Sequence, residues 1–281
     1  MRIIEYEKIV DTVKEMCLEA NYDLPADAVD GFKQARDKES SLLGKSILEQ
    51  CLKNAQIARD ERVPICQDTG LAVFFINIGQ NARVDGGLLK DAIDEGVRQG
   101  YKDGYLRKSS LDDPLFSREN TGDNTPAIIH LDIVAGDKLE ITLAPKGGGA
   151  ENMSRLAMLP PSAGEQGVID FVVDTIVRAG GNPCPPTVVG VGIGGTFEKV
   201  AYLAKKALLW PLNAPNQDER YQQLEQRILH RINNSGIGPQ GLGGNVTSFA
   251  IHIEHHPCHL ASLPVAVNVN CHAHRHAHRV L

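Results

Sequence analysis

The chain has 281 residues, 42% hydrophobic and 23% charged, which is enough to bury a core in one domain or in two packed lobes and too apolar for disorder. With 29 basic residues against 35 acidic ones it carries a formal charge of −6 and only 5% aromatics, which argues against nucleic acid or an anionic membrane as the main partner. No apolar run reaches the roughly 20 residues that span a bilayer, and Met1-Arg2-Ile3-Ile4-Glu5 lacks a signal-peptide layout, so a cytoplasmic protein is expected.

In chain order, residues 2–20 carry apolar positions at helical spacing, and Leu24-Pro25-Ala26-Asp27 reads as the start of a second helix. Ser40-Ser41 can cap a third helix ending near Arg59. Residues 71–78 form an apolar, β-rich run, read as a buried strand, and 87–100 return to helical spacing. Residues 105–126 are polar and irregular. Strands near 127–134 and 138–144 are read as a hairpin turned by Ala135-Gly136-Asp137. Helices follow at 164–179, 196–209 and 217–233, and strands at 187–193, 246–253 and 264–270. The expected class is α+β, a helical part over about residues 1–60 followed by mixed sheet, treated as one domain over 1–281.

Six cysteines fall into two groups. Cys17 and Cys51 lie on apolar helical stripes and read as core thiols. Cys66, Cys184, Cys258 and Cys271 sit beside Pro, Gly, Asp or His in loop-like surroundings. No CxxC pair exists, which excludes a zinc ribbon or ferredoxin pattern. On spacing alone, Cys66, Cys184 and Cys271 are either metal ligands or unrelated loop thiols. Three thiolates would suit an iron–sulfur cubane with one iron open as a Lewis acid.

Other segments stay two-sided on residues alone. Lys146-Gly147-Gly148-Gly149 could cradle an anion or simply make a tight turn. Val189-Gly190-Val191-Gly192-Ile193-Gly194-Gly195 matches neither the dinucleotide fingerprint nor the P-loop, and reads as close backbone packing at a strand-to-helix turn. Arg107 could fork a carboxylate or be a solvated charge. Asp68 could exchange a proton beside a ligating Cys66 or form the turn at Asp68-Thr69-Gly70. His272, His274, His276 and His278 alternate either as a metal tract or, the preferred reading, as a solvated tail. His259 precedes the strand that delivers Cys271, which suggests a supporting or proton-relay role.

Taken together, Cys66-Gln67-Asp68-Thr69-Gly70, Asn120 to Ala127, Lys146-Gly147-Gly148-Gly149, Glu151-Asn152-Met153-Ser154-Arg155, Asn182-Pro183-Cys184-Pro185-Pro186 and His259-Leu260-Ala261 resemble class I fumarase, the family of [4Fe-4S] hydro-lyases that includes tartrate dehydratases. The resemblance runs from about Ser40 to Arg275. It implies the cluster-binding lobe of that fold, in the form of the α subunit of a two-subunit enzyme, since single-chain members continue into a second lobe. It implies a [4Fe-4S] cluster on Cys66, Cys184 and Cys271, with substrate contacts from Gln67, Asp68, Arg107, Gly148, Glu151, Asn152, Met153, Ser154, Arg155, Leu156 and Ala157. Asp68 and His259 would be the catalytic candidates and Cys258 a bystander. The expected reaction is reversible hydration of fumarate to (S)-malate, with a β subunit supplying the opposing wall in an α₂β₂ assembly. Tartrate or mesaconate as substrate, a redox sensor, and a cluster-free scaffold are the competing expectations.

Overall fold

The chain opens with β1 (Arg2–Glu5), α1 (Tyr6–Tyr22), α2 (Ala26–Lys38) and α3 (Leu42–Glu61). Then come β2 (Leu71–Gly79), β3 (Ala82–Asp85), α4 (Leu89–Asp103), β4 (Ile128–Val134), β5 (Leu139–Lys146), a one-turn α5 (Gly148–Glu151) and β6 (Arg155–Leu159). The last part comprises α6 (Gly164–Ala179), β7 (Thr187–Gly194), α7 (Phe197–Ala207), α8 (Glu219–Asn233), β8 (Ser248–His256), β9 (Leu263–Asn270) and β10 (Ala277–Val280). This computed structural model describes all 281 residues, in two compact units, and the α+β class is as expected.

The first unit comprises Met1–Leu24, Asn54–Gly147 and Arg275–Leu281. Its four-stranded sheet has the order β10-β5-β2-β4, and β1 pairs in parallel with β3 beside it. Residues 2–5 are therefore strand, not the first turn of a helix. Helices α1 and α4 pack against each other closely because α4 presents small residues to α1. A Cβ at Gly96 would lie 2.6 Å from Val13 Cβ, and one at Gly100 would lie 2.7 Å from Cys17 Cβ. Ile9, Val13 and Met16 of α1 join Phe74 and Ile76 of β2 and Ile141 and Leu143 of β5 in one core.

The expected hairpin between β4 and β5 does not form. β2 lies between them, parallel to β4 (Phe75 opposite His130) and antiparallel to β5 (Phe75 opposite Thr142). The physical reason is burial. β2 is buried over Ala72–Ile76, whereas most of β4 is exposed, so the more apolar strand takes the centre and β4 the edge. The expected solvated tail is also corrected. β10 pairs antiparallel with β5, and Ala273, His274, Arg275 and Ala277 are buried.

The second unit comprises Pro25–Lys53 and Gly148–His274, so the boundary falls inside α3. Its sheet has the order β6-β9-β7-β8, with β7 parallel to β8 and antiparallel to β9. Every residue of β7 is buried, and its two faces differ. Val189, Val191 and Ile193 pack with Val172 and Ile176 of α6 and Ile228 of α8. The intervening glycines meet α7: a Cβ at Gly190 would lie 2.0 Å from the Ala204 carbonyl oxygen, and one at Gly192 would lie 2.2 Å from that of Val200. The alternating Val-Gly run is thus a central strand pressed against a helix, as expected for close backbone packing.

Candidate functional site

In the first unit the loop 66–70 is built by its own peptide groups. The Asp68 amide donates to Cys66 Sγ at 3.4 Å, and the Gly70 amide donates to Asp68 Oδ1 at 3.0 Å. Gly70 has φ +76, and a Cβ there would meet the Lys146 backbone at 2.7 Å, so glycine is required where β2 starts beside the end of β5. Below the loop, Tyr101 is 1% exposed and donates from its hydroxyl to the carbonyls of Thr69 and Gly70, both at 3.0 Å. Cys66 and Asp68 are half-buried, and Gln67 is exposed.

The irregular segment 105–126 is tied to the same loop. Thr69 Oγ1 donates to the Arg107 carbonyl at 3.0 Å. Asn124, buried and with φ +65, accepts from the amides of Ser109 and Ser110 at 2.7 and 3.2 Å and donates from Nδ2 to the Gly70 carbonyl at 3.2 Å. One Asn side chain therefore substitutes for missing secondary structure and holds Arg107 near the loop, leaving its side chain exposed.

In the second unit, Cys184 is exposed and has φ +54, a left-handed conformation that a non-glycine residue adopts only when its surroundings enforce it. Cys271 follows β9 directly and is half-buried. The two segments are joined: the His272 amide donates to the Cys184 carbonyl at 3.1 Å. Gln240, also left-handed at φ +54, donates from both its amide and Nε2 to the Pro185 carbonyl, each at 2.8 Å. The Gly-rich loop carrying Gln240 is anchored by Glu39, 1% exposed, whose Oε2 accepts from the amides of Asn245 and Val246 at 2.8 and 3.0 Å, while Oε1 accepts from Ser41 at 2.8 Å.

The segment 148–157 leans on β9. Asn268 Nδ2 donates to Glu151 Oε2 and to Ser154 Oγ, both at 3.1 Å, and the Val269 amide donates to Ser154 Oγ at 3.2 Å. Glu151 also pairs with Lys205. Arg155 pairs with Asp174 at 2.7 Å and lies over the Phe171 ring, and Leu156 and Ala157 stand in β6 opposite Ala266 and Val265. Gly148 and Asn152 are exposed and Met153 half-buried. His259 lies in the exposed turn before β9, where its Nδ1 accepts from the Ala261 amide at 3.1 Å. Cys271 lies beyond the other end of that eight-residue strand, about 26 Å along at about 3.3 Å per residue, so β9 separates the two rather than bringing them together.

Of the remaining thiols, Cys17 is fully buried, as expected. Cys51 is only half-buried, and burial first, then the neighbouring Cys184 and Cys271, push it up to about 11. Cys258 is exposed and donates to the Ser262 carbonyl at 3.4 Å. Sequence reasoning missed Glu39, Gln240, Tyr101 and Arg275. The available signal was the glycine run from Gly236 to Gly244, which marks a loop needing close approach.

Loops stiffened by polar side chains, around Cys66 and Asp68 in the first unit and around Cys184 and Cys271 in the second, carry motifs that together define a hydro-lyase. The chain belongs to the fumarate hydratase (Fumerase) family, whose profile matches residues 10–280, in its α-subunit form. It is 43% identical over 276 residues to the putative L(+)-tartrate dehydratase subunit alpha of Methanocaldococcus jannaschii, covering 96% of each chain. It is 37% identical over 275 residues to the L(+)-tartrate dehydratase subunit alpha of Escherichia coli UTI89, covering 95% of this chain and 89% of the relative. Against that of strain K12 the identity is 36% over 273 residues. No helix is long and apolar enough to cross a membrane.

Proposed function

We propose that this chain is the α subunit of a cytoplasmic, oxygen-sensitive iron–sulfur fumarate hydratase that interconverts fumarate and (S)-malate with a separate β chain, in an α₂β₂ assembly. The observation that carries this reading is the family match across residues 10–280, which includes every motif loop. Cys66, Cys184 and Cys271 would hold a [4Fe-4S] cluster. The donor set fits: all three thiols are half-buried or exposed on stiffened loops, while Cys17 is sealed in the core. No three His, Cys, Asp or Glu side chains converge as a single metal ion requires, and a cubane instead takes each thiolate on a separate iron. When bound, the cluster supplies a Lewis-acidic iron with an open position for the substrate hydroxyl and a carboxylate.

The chain's own groups do the rest. Arg107 forks one carboxylate and Gln67 adds an amide contact, and the backbone at Gly148 and Asn152 contributes further contacts. Asp68 exchanges the C3 proton, its carboxylate oriented by the Gly70 amide. Loss of that proton and of hydroxide from C2 leaves the double bond of fumarate, and the reverse sequence adds water. Arg155 and Glu151 contribute through position, since their charges are already paired within the second unit. His259 takes no part in this step, since β9 separates its exposed turn from Cys271. Exposed Gln67 and Arg107 support a β chain that covers them, because these contacts strengthen once water is excluded.

L-tartrate is the second reading, favoured by the names of the relatives. It carries a hydroxyl where malate carries hydrogen, and a site built to bond that hydroxyl rejects the analogue lacking it by about 10⁴-fold or more. The deciding experiment is anaerobic reconstitution with the β chain, followed by parallel assays with fumarate, L-tartrate and mesaconate. The highest kcat/KM with fumarate supports the first reading and the highest with L-tartrate the second. A fully loaded αβ complex inactive on all three overturns both.

A further inference from the structure

Arg275 is 3% exposed, yet its Nε and Nη1 have no hydrogen-bond partner. Its Nη2 donates to the main-chain carbonyl of Asp68, and no salt bridge joins the guanidinium to a carboxylate. A guanidinium cannot shed its charge at any working pH. An unpaired buried charge costs several kcal/mol, so its retention calls for a partner met in the working state, and for a cation the strongest partner is an anion.

The surroundings indicate which anion. Arg275 grips the carbonyl of Asp68, and the amide of the same Asp68 donates to Cys66 Sγ at 3.4 Å. In sequence Arg275 stands four residues after Cys271. It is thus tied through one residue's peptide groups to the proposed ligand Cys66. A substrate carboxylate is a poorer fit, because it would have to reach a side chain only 3% exposed, whereas the exposed Arg107 lies open to it.

We propose that Arg275 is the buried counter-cation of the iron–sulfur cluster, with Nε and Nη1 directed to its sulfur atoms or thiolates. The inference rests on the cluster reading given above. A positive charge and N–H donors near a cluster favour its reduced form, since net charge and hydrogen bonds to sulfur set the potential.

The test uses full-length chain with its β chain, reconstituted anaerobically, as wild type, Arg275→Lys and Arg275→Met. Iron and sulfide content, midpoint potential by EPR-monitored titration, and the melting temperature with and without cluster are measured. Arg275→Met is expected to shift the potential to more negative values and Arg275→Lys to leave it near wild type. Without cluster, Arg275→Met is expected to melt at or above wild type, because an unpaired buried charge has gone, while the rise in melting temperature on loading shrinks. A residue that merely holds the Asp68 carbonyl would destabilise both forms equally.

Unchanged potential in loaded Arg275→Met overturns the assignment, as does unchanged potential with a raised KM, which would give the donors to substrate. If Arg275→Met does not load, the melting comparison decides: an apo form less stable than wild type overturns it. Wild-type chain that takes up no iron defeats the cluster reading itself, a result distinct from all of these.

Discussion

Gln240 Nε2 lies 2.8 Å from the Pro185 carbonyl and 3.1 Å from His272 Nδ1, so one amide clasps the residues that follow Cys184 and Cys271. The Pro185 contact fixes the amide with nitrogen inward, since the flipped form would set two carbonyl oxygens together. His272 Nδ1 also lies 3.1 Å from the Cys184 carbonyl, so this one ring nitrogen stands between the two segments. The His272 amide already serves the Cys184 carbonyl.

This clasp predicts the behaviour of Gln240→Gly, which keeps the left-handed backbone and deletes the amide side chain. Two side-chain hydrogen bonds at about 0.5–1.5 kcal/mol each correspond to roughly 5- to 150-fold looser coupling of the loops. Iron release to a chelator under anaerobic conditions should accelerate accordingly, with secondary structure unchanged by circular dichroism. A release rate equal to wild type would show that the clasp plays no part in holding the cluster.

The cysteines separate by environment. Serine at Cys66, Cys184 or Cys271 should abolish or destabilise the cluster, while Cys17→Ser and Cys51→Ser should load normally. Cys51 is the more demanding control, because it neighbours Cys184 and Cys271 electrostatically. Iron and sulfide analysis after reconstitution checks this, and normal iron content in Cys184→Ser would remove Cys184 from the ligand set.

Arg107 and Asp68 should divide binding from chemistry. Arg107→Ala loses a charge-assisted bidentate contact worth about 1.5–3 kcal/mol, so KM should rise about 10- to 150-fold with a smaller change in kcat. Asp68→Asn should lower kcat while leaving cluster content intact. Steady-state kinetics on the αβ complex measures both. Wild-type turnover in Asp68→Asn would reassign the proton transfer.

Most elements were legible in the sequence because their periods are strong. The helices α6, α7 and α8 and the strands β2, β7 and β9 lie within a few residues of expectation. The pairing of β4 and β5 was not, because Ala135-Gly136-Asp137 signals a turn locally while strand order is decided by which strand buries most, and that is β2. The C-terminal segment misled for a related reason. Its histidines suggest solvent, but Ala273, His274, Arg275 and Ala277 are all buried, and a buried histidine or arginine looks polar to any composition rule. Gln240 and Glu39 were invisible because their roles consist of contacts with residues tens to hundreds of positions away.

Acid stability offers a prediction independent of the cluster. His252 on β8 is 2% exposed, neither ring nitrogen has a hydrogen-bond partner, and the ring faces Trp210 at 6.0 Å between centroids. Burial pushes it down to about 4, with Asp27 opposing the shift. In the unfolded chain a histidine titrates near 6.5. Between pH 6.5 and about 4 the unfolded state therefore binds a proton that the folded state refuses, so stability rises with pH across this window and falls as the solution is acidified. The full difference amounts to about 3 kcal/mol, an upper bound that any relaxation around the ring reduces. His252→Phe keeps an aromatic ring of similar size and removes the titration. Whatever its stability at pH 7.5, its denaturation midpoint should decline less than that of wild type between pH 6.5 and 4.5. Parallel urea titrations of the two proteins at several pH values measure the difference in slope, and identical slopes would mean that His252 takes up its proton in the folded protein as readily as in the unfolded chain.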